Sequence, residues 1–449
     1  MANSYLYRTN GTPTNAYKGT VSHWIKRSIV GVSEGSYGTF AAFNNGGAAA
    51  DRGHLNIYND TIYFYNQQTS TVLQTNRKFR DVNGWFHIVI AWDTTQATSS
   101  NRVKIYVNGE QETSFSTATY PGQNNTMEFN VSGRRFAVGA LGSNGSAAYF
   151  WPGYISHFAF VDGQQLTPTT FGETDSTSGI WKFKSPSGVT WGNNGFHLKF
   201  ENSGNLGLDS SGNGNNLTVS GNLKQALDTP SNVYATMNPL DNYYQSSTFT
   251  EGNNTVEHGN TPWTYNTSTL KIPEATKFYC EGKVITMNQN TCGIASNVTT
   301  GNGDSSTSLG NITGGVAFRG NQGDIQKEGS LVSGTWATFT TNDIIQIACD
   351  TVNNKLYFGK NGTWLNSGDP TSGASGTGAI SITDNTDYFF AFGDNTSGGR
   401  GKWSINFGNG FFGTTAITSA GSNGNGSLFE YDVPSGYYAL NTKNINTYG

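Results

Sequence analysis

Three kinds of side chain in this sequence could do chemistry: aromatic rings among amides, carboxylates, and one run of oxygen-bearing residues spaced like a cation loop. Tyr149-Phe150-Trp151-Pro152-Gly153-Tyr154 gathers four rings just before an apolar run. Aromatic faces stack on the apolar faces of sugar rings while amides pair with the hydroxyls, and Asn144 and Gln123-Asn124-Asn125 could supply those amides. The commoner use of such rings is to seal the edge of a sheet, with one polar tip satisfied. Trp364, two residues after Asn361-Gly362, carries the same pair of readings: a ring in a binding face, or the cap of a hairpin.

Glycoside hydrolysis needs two carboxylates about 5 to 9 Å apart, which on a strand means acids at i and i+2 or i+4. The closest pair read here is Glu110 and Glu112, beside the Asn108-Gly109 turn, where a solvated tip is the simpler account. Glu251 and Glu257 sit among Asn and Gly. The six histidines are scattered, without H-x-x-x-H, so metalloprotease chemistry has no support, and esterase chemistry is not expected. His87 and His157 fall inside strand patterns, as satisfied imidazoles do. The expectation is a protein that is not an enzyme and has no catalytic residues.

Asp209, Ser211, Asn213 and Asn215 place oxygens at positions 1, 3, 5 and 7 with Gly214 at 6, the opening of a calcium loop. Position 12 is Ser220 rather than a bidentate Glu. A series of Asx turns closing a loop is the better reading, and weak calcium binding through Asp209, Ser211 and Asn213 the lesser one. No other cofactor is expected. Cys280, Cys292 and Cys349 lack metal or disulfide spacing and lie in apolar runs, as buried free thiols do.

Charge narrows the partners. The chain has 26 Lys+Arg against 30 Asp+Glu, a net charge of −4, and no basic cluster, so it lacks the footprint that a phosphate backbone requires and nucleic acid is not an expected partner. Charged residues are 12% of the 449, half the usual level of about 25%. Amides and hydroxyls must therefore keep the surface wet. No run nears the roughly 18 apolar residues of a membrane span, and MANSYLYRTNGTPTN has no signal-peptide pattern, so neither membrane insertion nor export by its own signal is expected.

The elements that must position these groups read as strands. WFHIVIAWD from Trp85 is apolar except at His87, the pattern of a central strand covered on both faces. In RVKIYVNG, Val103, Ile105 and Val107 alternate with Lys104, Tyr106 and Asn108, and Asn108-Gly109 signals a hairpin. DIIQIACDTVNNKLYFGKNG from Asp343 repeats the grammar, with turns at Asn353-Asn354 and Asn361-Gly362. The expected fold is all-β: two tandem antiparallel β-sandwiches (jelly-roll domains) with a short C-terminal tail. The expected limits are 1–200 and 241–412 for the sandwiches. A Gly/Asn-rich connector fills 201–240, pinned to the first domain by Leu206, Leu208, Leu217 and Val219. The tail, 413–449, has a helix-like turn at Tyr437 to Leu440 and five aromatic residues that suggest docking.

The first block resembles laminin G-like, concanavalin A-type domains through His23-Trp24-Ile25-Lys26, Gly84-Trp85-Phe86-His87-Ile88-Val89, Lys104 to Gly109, and Gly153-Tyr154-Ile155-Ser156-His157-Phe158. The second resembles SPRY domains through Lys277-Phe278-Tyr279-Cys280-Glu281, Asp343 to Ile347, Leu356 to Gly362, and Phe389-Phe390-Ala391. Asn342 replaces the usual Gly. The combination also resembles structural proteins of marine tailed bacteriophages, through Leu208 to Asn216, Leu227 to Pro230, and Pro434 to Asn444. That resemblance implies a virion appendage in the capsid or tail fibre, assembled with other virion proteins as a homo-oligomer, trimer favoured, and released by lysis. Weak adhesion to host surface glycans through Asn144, Tyr149, Trp151 and Trp364 follows as an expectation. A secreted lectin is the alternative, and a glycoside hydrolase the less favoured one.

Overall fold

Strand alternation puts every second side chain on one face, and a chain this rich in apolar–polar alternation must stack sheets to bury one set. A computed structural model describes residues 4–31, 37–44, 46, 52–143, 145–241, 247–259, 263–296, 308–384, 386–395 and 399–449. The chain divides into two units, Met1–Gln225 and Ala226–Gly449. Both are antiparallel β-sandwiches. Among the described residues the one α-helix is Thr442–Tyr448, and no helix is long and apolar enough to cross a membrane.

In the first unit an eight-stranded sheet runs, in spatial order, Phe115–Thr119, Thr71–Lys78, Thr61–Asn66, Arg52–Tyr58, Tyr37–Phe43, Arg135–Val138, Tyr5–Thr9 and Thr218–Ser220. A six-stranded sheet holds Phe196–Leu198, Tyr154–Asp162, Lys18–Lys26, Trp85–Asp93, Val103–Val107 and Glu110–Gln111. Phe40, Leu55, Phe64 and Phe136 of one sheet meet Val21, Ile88, Ile90, Ile105 and Phe158 of the other in a single core. Trp85–Asp93 is central, as expected, and its outer face is closed by residues from the excursion after Asp162: Phe171 packs with Val89, Ala159 and Val161, and Leu166, Val189 and Trp191 join them. The hairpin turns also form as expected. Asn108 and Gly109 have φ of 49° and 86°, and Asn361 and Gly362 of 50° and 85°, the left-handed pair that a tight two-residue hairpin demands.

The second unit has one sheet ordered Thr248–Thr250, Thr255–Glu257, Lys402–Asn406, Lys277–Thr286, Ile344–Asp350, Lys355–Lys360 and Thr363–Trp364. The facing sheet runs Thr264–Thr267, Phe389–Asp394, Asn290–Ala295, Val316–Arg319, Asp324–Lys327 and Ser330–Val332. Phe278, Cys280, Ile345, Ile347, Cys349, Leu356 and Phe358 point between the sheets with Phe318, Phe390 and Phe392. All three cysteines are free and buried there.

Two segments depart from the sequence expectation. No independent connector spans 201–240: Thr218–Ser220 pairs with Tyr5–Tyr7 as a sheet edge of the first unit, while Tyr234, Ala235 and Met237 are buried in the second. Leu206 and Leu217 do join the first core, but Leu208 and Val219 are 40% and 39% exposed and pin nothing. The tail after Phe412 is not a free docking arm either. It folds back over the outer face of its own unit, where Phe429, Val433, Tyr437 and Ala439 bury against Tyr279, Ala348 and Tyr357. Tyr437 to Leu440 is no helical turn, since Tyr438–Ala439 pairs in parallel with Phe278 and Tyr279. Its place in the sheet is open because the neighbouring strand Lys402–Asn406 pairs only from Glu281 onward. The helix follows, capped by Asn441, whose side-chain oxygen accepts the Asn444 N–H.

Candidate functional site

The aromatic run before Tyr154 is pulled apart by the strands it bridges. The Gly38 N–H donates to the Tyr149 carbonyl, the Trp151 N–H donates to the Gly139 carbonyl, and the three successive rings leave in different directions. Tyr149 stands at φ 51° and is 52% exposed. Phe150 lies 5.7 Å from the Tyr5 ring. Trp151 packs against the core, and its indole N–H donates to the Tyr154 carbonyl at 3.1 Å. This is the geometry of an edge seal, with Tyr149 alone presented outward. Asn144 lies outside the described residues. Gln123 is engaged elsewhere, donating to the Thr95 carbonyl at 3.1 Å.

The Asp209 loop is closed by its own hydrogen bonds. One carboxylate oxygen accepts the His197 and Ser211 N–H groups, and the other accepts the Ser211 hydroxyl and the Asn215 N–H, all within 2.9 Å. Asn213 donates its amide to the Gly192 and Gly195 carbonyls, so it ties the loop down rather than presenting an oxygen. Among the described residues no group of three His, Cys, Asp or Glu is placed to hold a metal ion. The Asp209 and Ser211 oxygens thus serve an Asx-turn clasp.

The histidines are structural as well. His87 pairs with the Ser22 hydroxyl at 2.8 Å and accepts the Trp181 indole N–H at 2.9 Å, with Trp24 stacked on it at 4.7 Å. Burial holds it neutral, with its pKa lowered to about 3. His157 lies flat on Phe183 at 3.5 Å. Glu110 is exposed, and Glu112 is spent on Arg77 at 2.9 Å.

A cavity does form at Trp364. It has a volume of about 460 Å³ and is lined by Gln346, Gly362, Trp364, Ser419, Ala420, Gly421, Glu430, Tyr431 and Asp432, within the roughly 300–1,000 Å³ of ordinary ligand sites. The hairpin supplies one wall. Trp364 is half-buried, its ring edge against Tyr279 at 6.5 Å, so it serves as cap and cavity wall at once. The tail supplies the other wall. Gly362 lets the two meet: at φ 85° its missing side chain leaves room for Tyr431, whose ring would lie 2.9 Å from a Cβ placed there.

What holds the tail wall is Glu281, on the outer face beneath it. One carboxylate oxygen accepts the Tyr279 hydroxyl and the Tyr431 N–H; the other accepts the Glu430 N–H, each at 2.9 Å. Burial, only partly offset by these donors, pushes the Glu281 pKa up to about 7. Gln346 accepts the Gly362 N–H at 2.8 Å and fixes the turn. Each of the two cavity acids accepts a backbone amide: Glu430 that of Thr418 and Asp432 that of Ser422, both at 2.6 Å. The structure thus brings one expected residue, Trp364, into this cavity, whose lining includes neither Tyr149 nor Trp151. Sequence reading misses Glu430, Tyr431, Asp432 and Gln346. The signal was Glu-Tyr-Asp, an i, i+2 acid pair around a ring, nearer in type to a carbohydrate site than Glu110 and Glu112.

No curated protein matches the chain. Similar solved structures include the SPRY domain of human HERC1, at 15% identity and a TM-score of 0.30 over 38% of this chain and 96% of that one. A heptameric SAP-like pentraxin from Limulus polyphemus gives 16% identity and a TM-score of 0.30 over 42% of this chain and 82% of that one. A family model matches within the first unit: residues 2–170 match the concanavalin A-like lectin/glucanases superfamily.

Proposed function

We propose that this chain is a non-enzymatic glycan-binding protein whose sugar site is the Trp364 cavity of the second sandwich. The observation that carries this reading is the pairing of two ring-bearing walls, Trp364 and Tyr431, with amide, hydroxyl and carboxylate groups around a cavity open to solvent. Rings stack on pyranose faces and the polar groups take the hydroxyls. The lectin/glucanase match over 2–170 is compatible with it. Binding is favoured over hydrolysis because each cavity acid is tied to a backbone N–H, and the acid with a raised pKa, Glu281, lies 0% exposed beneath the tail. A general acid must reach the glycosidic oxygen, and Glu281 reaches none.

Single shallow sugar sites are weak, so useful adhesion needs repetition. The resemblance of the Leu208 to Asn216, Leu227 to Pro230 and Pro434 to Asn444 segments to phage structural proteins supplies the setting: a virion appendage presenting many copies, as a trimer. Binding of the purified full chain to host cells and to extracted surface polysaccharide tests the function. Trp364→Ala should abolish it, and Trp151→Ala should leave it unchanged. Absence of binding by the wild-type chain overturns the reading. Mass spectrometry of purified particles and light scattering of the chain test the virion and trimer assignments separately.

A further inference from the structure

Resting on the reading of the Trp364 cavity as a glycan site, we propose that it selects glycans bearing a protonated amine over neutral and acidic ones. Its lining holds two carboxylates, Glu430 and Asp432, two aromatic rings, and no Lys or Arg. Among the described residues neither acid has a cationic partner. Four other acids of the second unit do have one: Asp343 with Lys360 at 3.0 Å, Asp350 with Lys277 at 2.9 Å, Asp324 with Arg319 at 2.7 Å, and Glu257 with Arg400 at 3.4 Å. In a chain with so few charges, two unmatched carboxylates on one cavity leave a site for a cation. The rings add to it, because the face of Trp or Tyr attracts an ammonium within about 6 Å.

Two further features support the sign of the field. The Ser422 amide and hydroxyl hold the Asp432 carboxyl below its ordinary range, keeping it charged well into acid. The Tyr431 hydroxyl is pushed up, by burial first and then by Glu430, Glu281 and Asp343. Acidic groups therefore lie around the Tyr431 ring on the cavity wall. An amine on a sugar suits the lining better than a lysine side chain. A lysine stem is a four-carbon chain that gains most from an aliphatic sleeve, whereas this cavity offers Ala420 alone and is otherwise amide, hydroxyl, carboxylate and ring. A pyranose fills such a site with hydroxyls and one flat apolar face, and adds the charge.

The test uses the full chain with four probes: a glucosamine tetramer, the same tetramer N-acetylated, a galacturonate tetramer, and an acetylated, amidated lysine peptide, each titrated by calorimetry. The glucosamine tetramer should bind about tenfold tighter than its N-acetylated form, and the galacturonate should bind least. The double variant Glu430→Gln with Asp432→Asn, whose fold is checked by circular dichroism, should bind the two glucosamine-based tetramers equally. Raising the salt concentration should narrow the wild-type preference. Equal affinity of the wild type for both, lost in Trp364→Ala, overturns charge selection and leaves the glycan reading standing. A preference that survives in the double variant overturns the role of the carboxylates. Tighter binding of the lysine peptide makes this a peptide site and overturns the proposal. Failure of every saccharide to bind overturns the glycan reading as well.

Discussion

Single residues in this protein are used as fasteners more than as reagents, and Glu281 shows how. Its carboxylate is buried and holds the amides of Glu430 and Tyr431, so the tail wall of the cavity hangs on one acid. Its folded pKa of about 7 lies above the ordinary 4.5. The stabilisation tied to this raised value is complete below pH 4.5 and is lost as pH rises through 7, by roughly 3 kcal/mol across the window. Glu281→Gln, neutral at every pH, should remove that component from the pH dependence of the second unit's stability, measured by denaturant titration between pH 5 and pH 8. An unchanged slope would show that the buried acid is not what titrates. Asp209 fastens the first unit in the same way. Asp209→Ala strands four donors, and an unsatisfied polar group costs about 1–3 kcal/mol. The deficit should be the same in chelator and in millimolar calcium. A wild-type chain that gains stability from calcium while the variant does not would restore the cation reading of the loop.

Elements were legible where the signal was local. Trp85–Asp93 reads as a strand buried on both faces because seven of its nine residues are apolar or aromatic, the exceptions being His87 and the closing Asp93, and Asn108-Gly109 reads as a turn because few other pairs tolerate two left-handed residues in succession. What covers those strands was not legible. Tyr279, Glu281, Gln346 and Tyr357 alternate with core residues and look solvent-facing in the sequence, yet Tyr279, Glu281, Gln346 and Tyr357 are all buried under a tail more than seventy residues on. Tyr437 to Leu440 looked helical because its pairing partner, Phe278-Tyr279, is remote. The cavity was half-legible for the same reason: Trp364 follows a recognisable turn, but Tyr431 reaches it only through long-range folding. The tail is therefore a structural element of the second sandwich. Leu440 is fully buried in its core, so Leu440→Ala should cost about 2–5 kcal/mol, read as a lowered denaturation midpoint. Removing Pro434–Gly449 should abolish cooperative unfolding of the second unit and leave the first intact. A truncated chain that keeps both transitions would return the tail to a docking role.

At the scale of the whole chain, the two units differ in how their buried titratable groups respond to acid. The first unit holds five histidines whose folded pKa values lie below the ordinary 6.5: His23, His54 and His87 at about 3, His157 and His197 at about 4, each through burial first. The unfolded chain takes up these protons near pH 6.5 while the folded one refuses them, so stability present above pH 6.5 is lost as the pH falls toward 4. At pH 5 the loss is about 1–2 kcal/mol for each histidine. The second unit holds His258, also lowered by burial but opposed by Asp394, together with Glu281, which acts in the opposite sense. Each unit encloses its own core, so calorimetry of the full chain should resolve two transitions. Leu440→Ala identifies the second, because it moves that one alone. Between pH 7.5 and pH 5 the first transition should fall by much more than the second. Equal shifts, or a first transition that does not move, would mean that the five histidines of the first unit are not held neutral by the packing described.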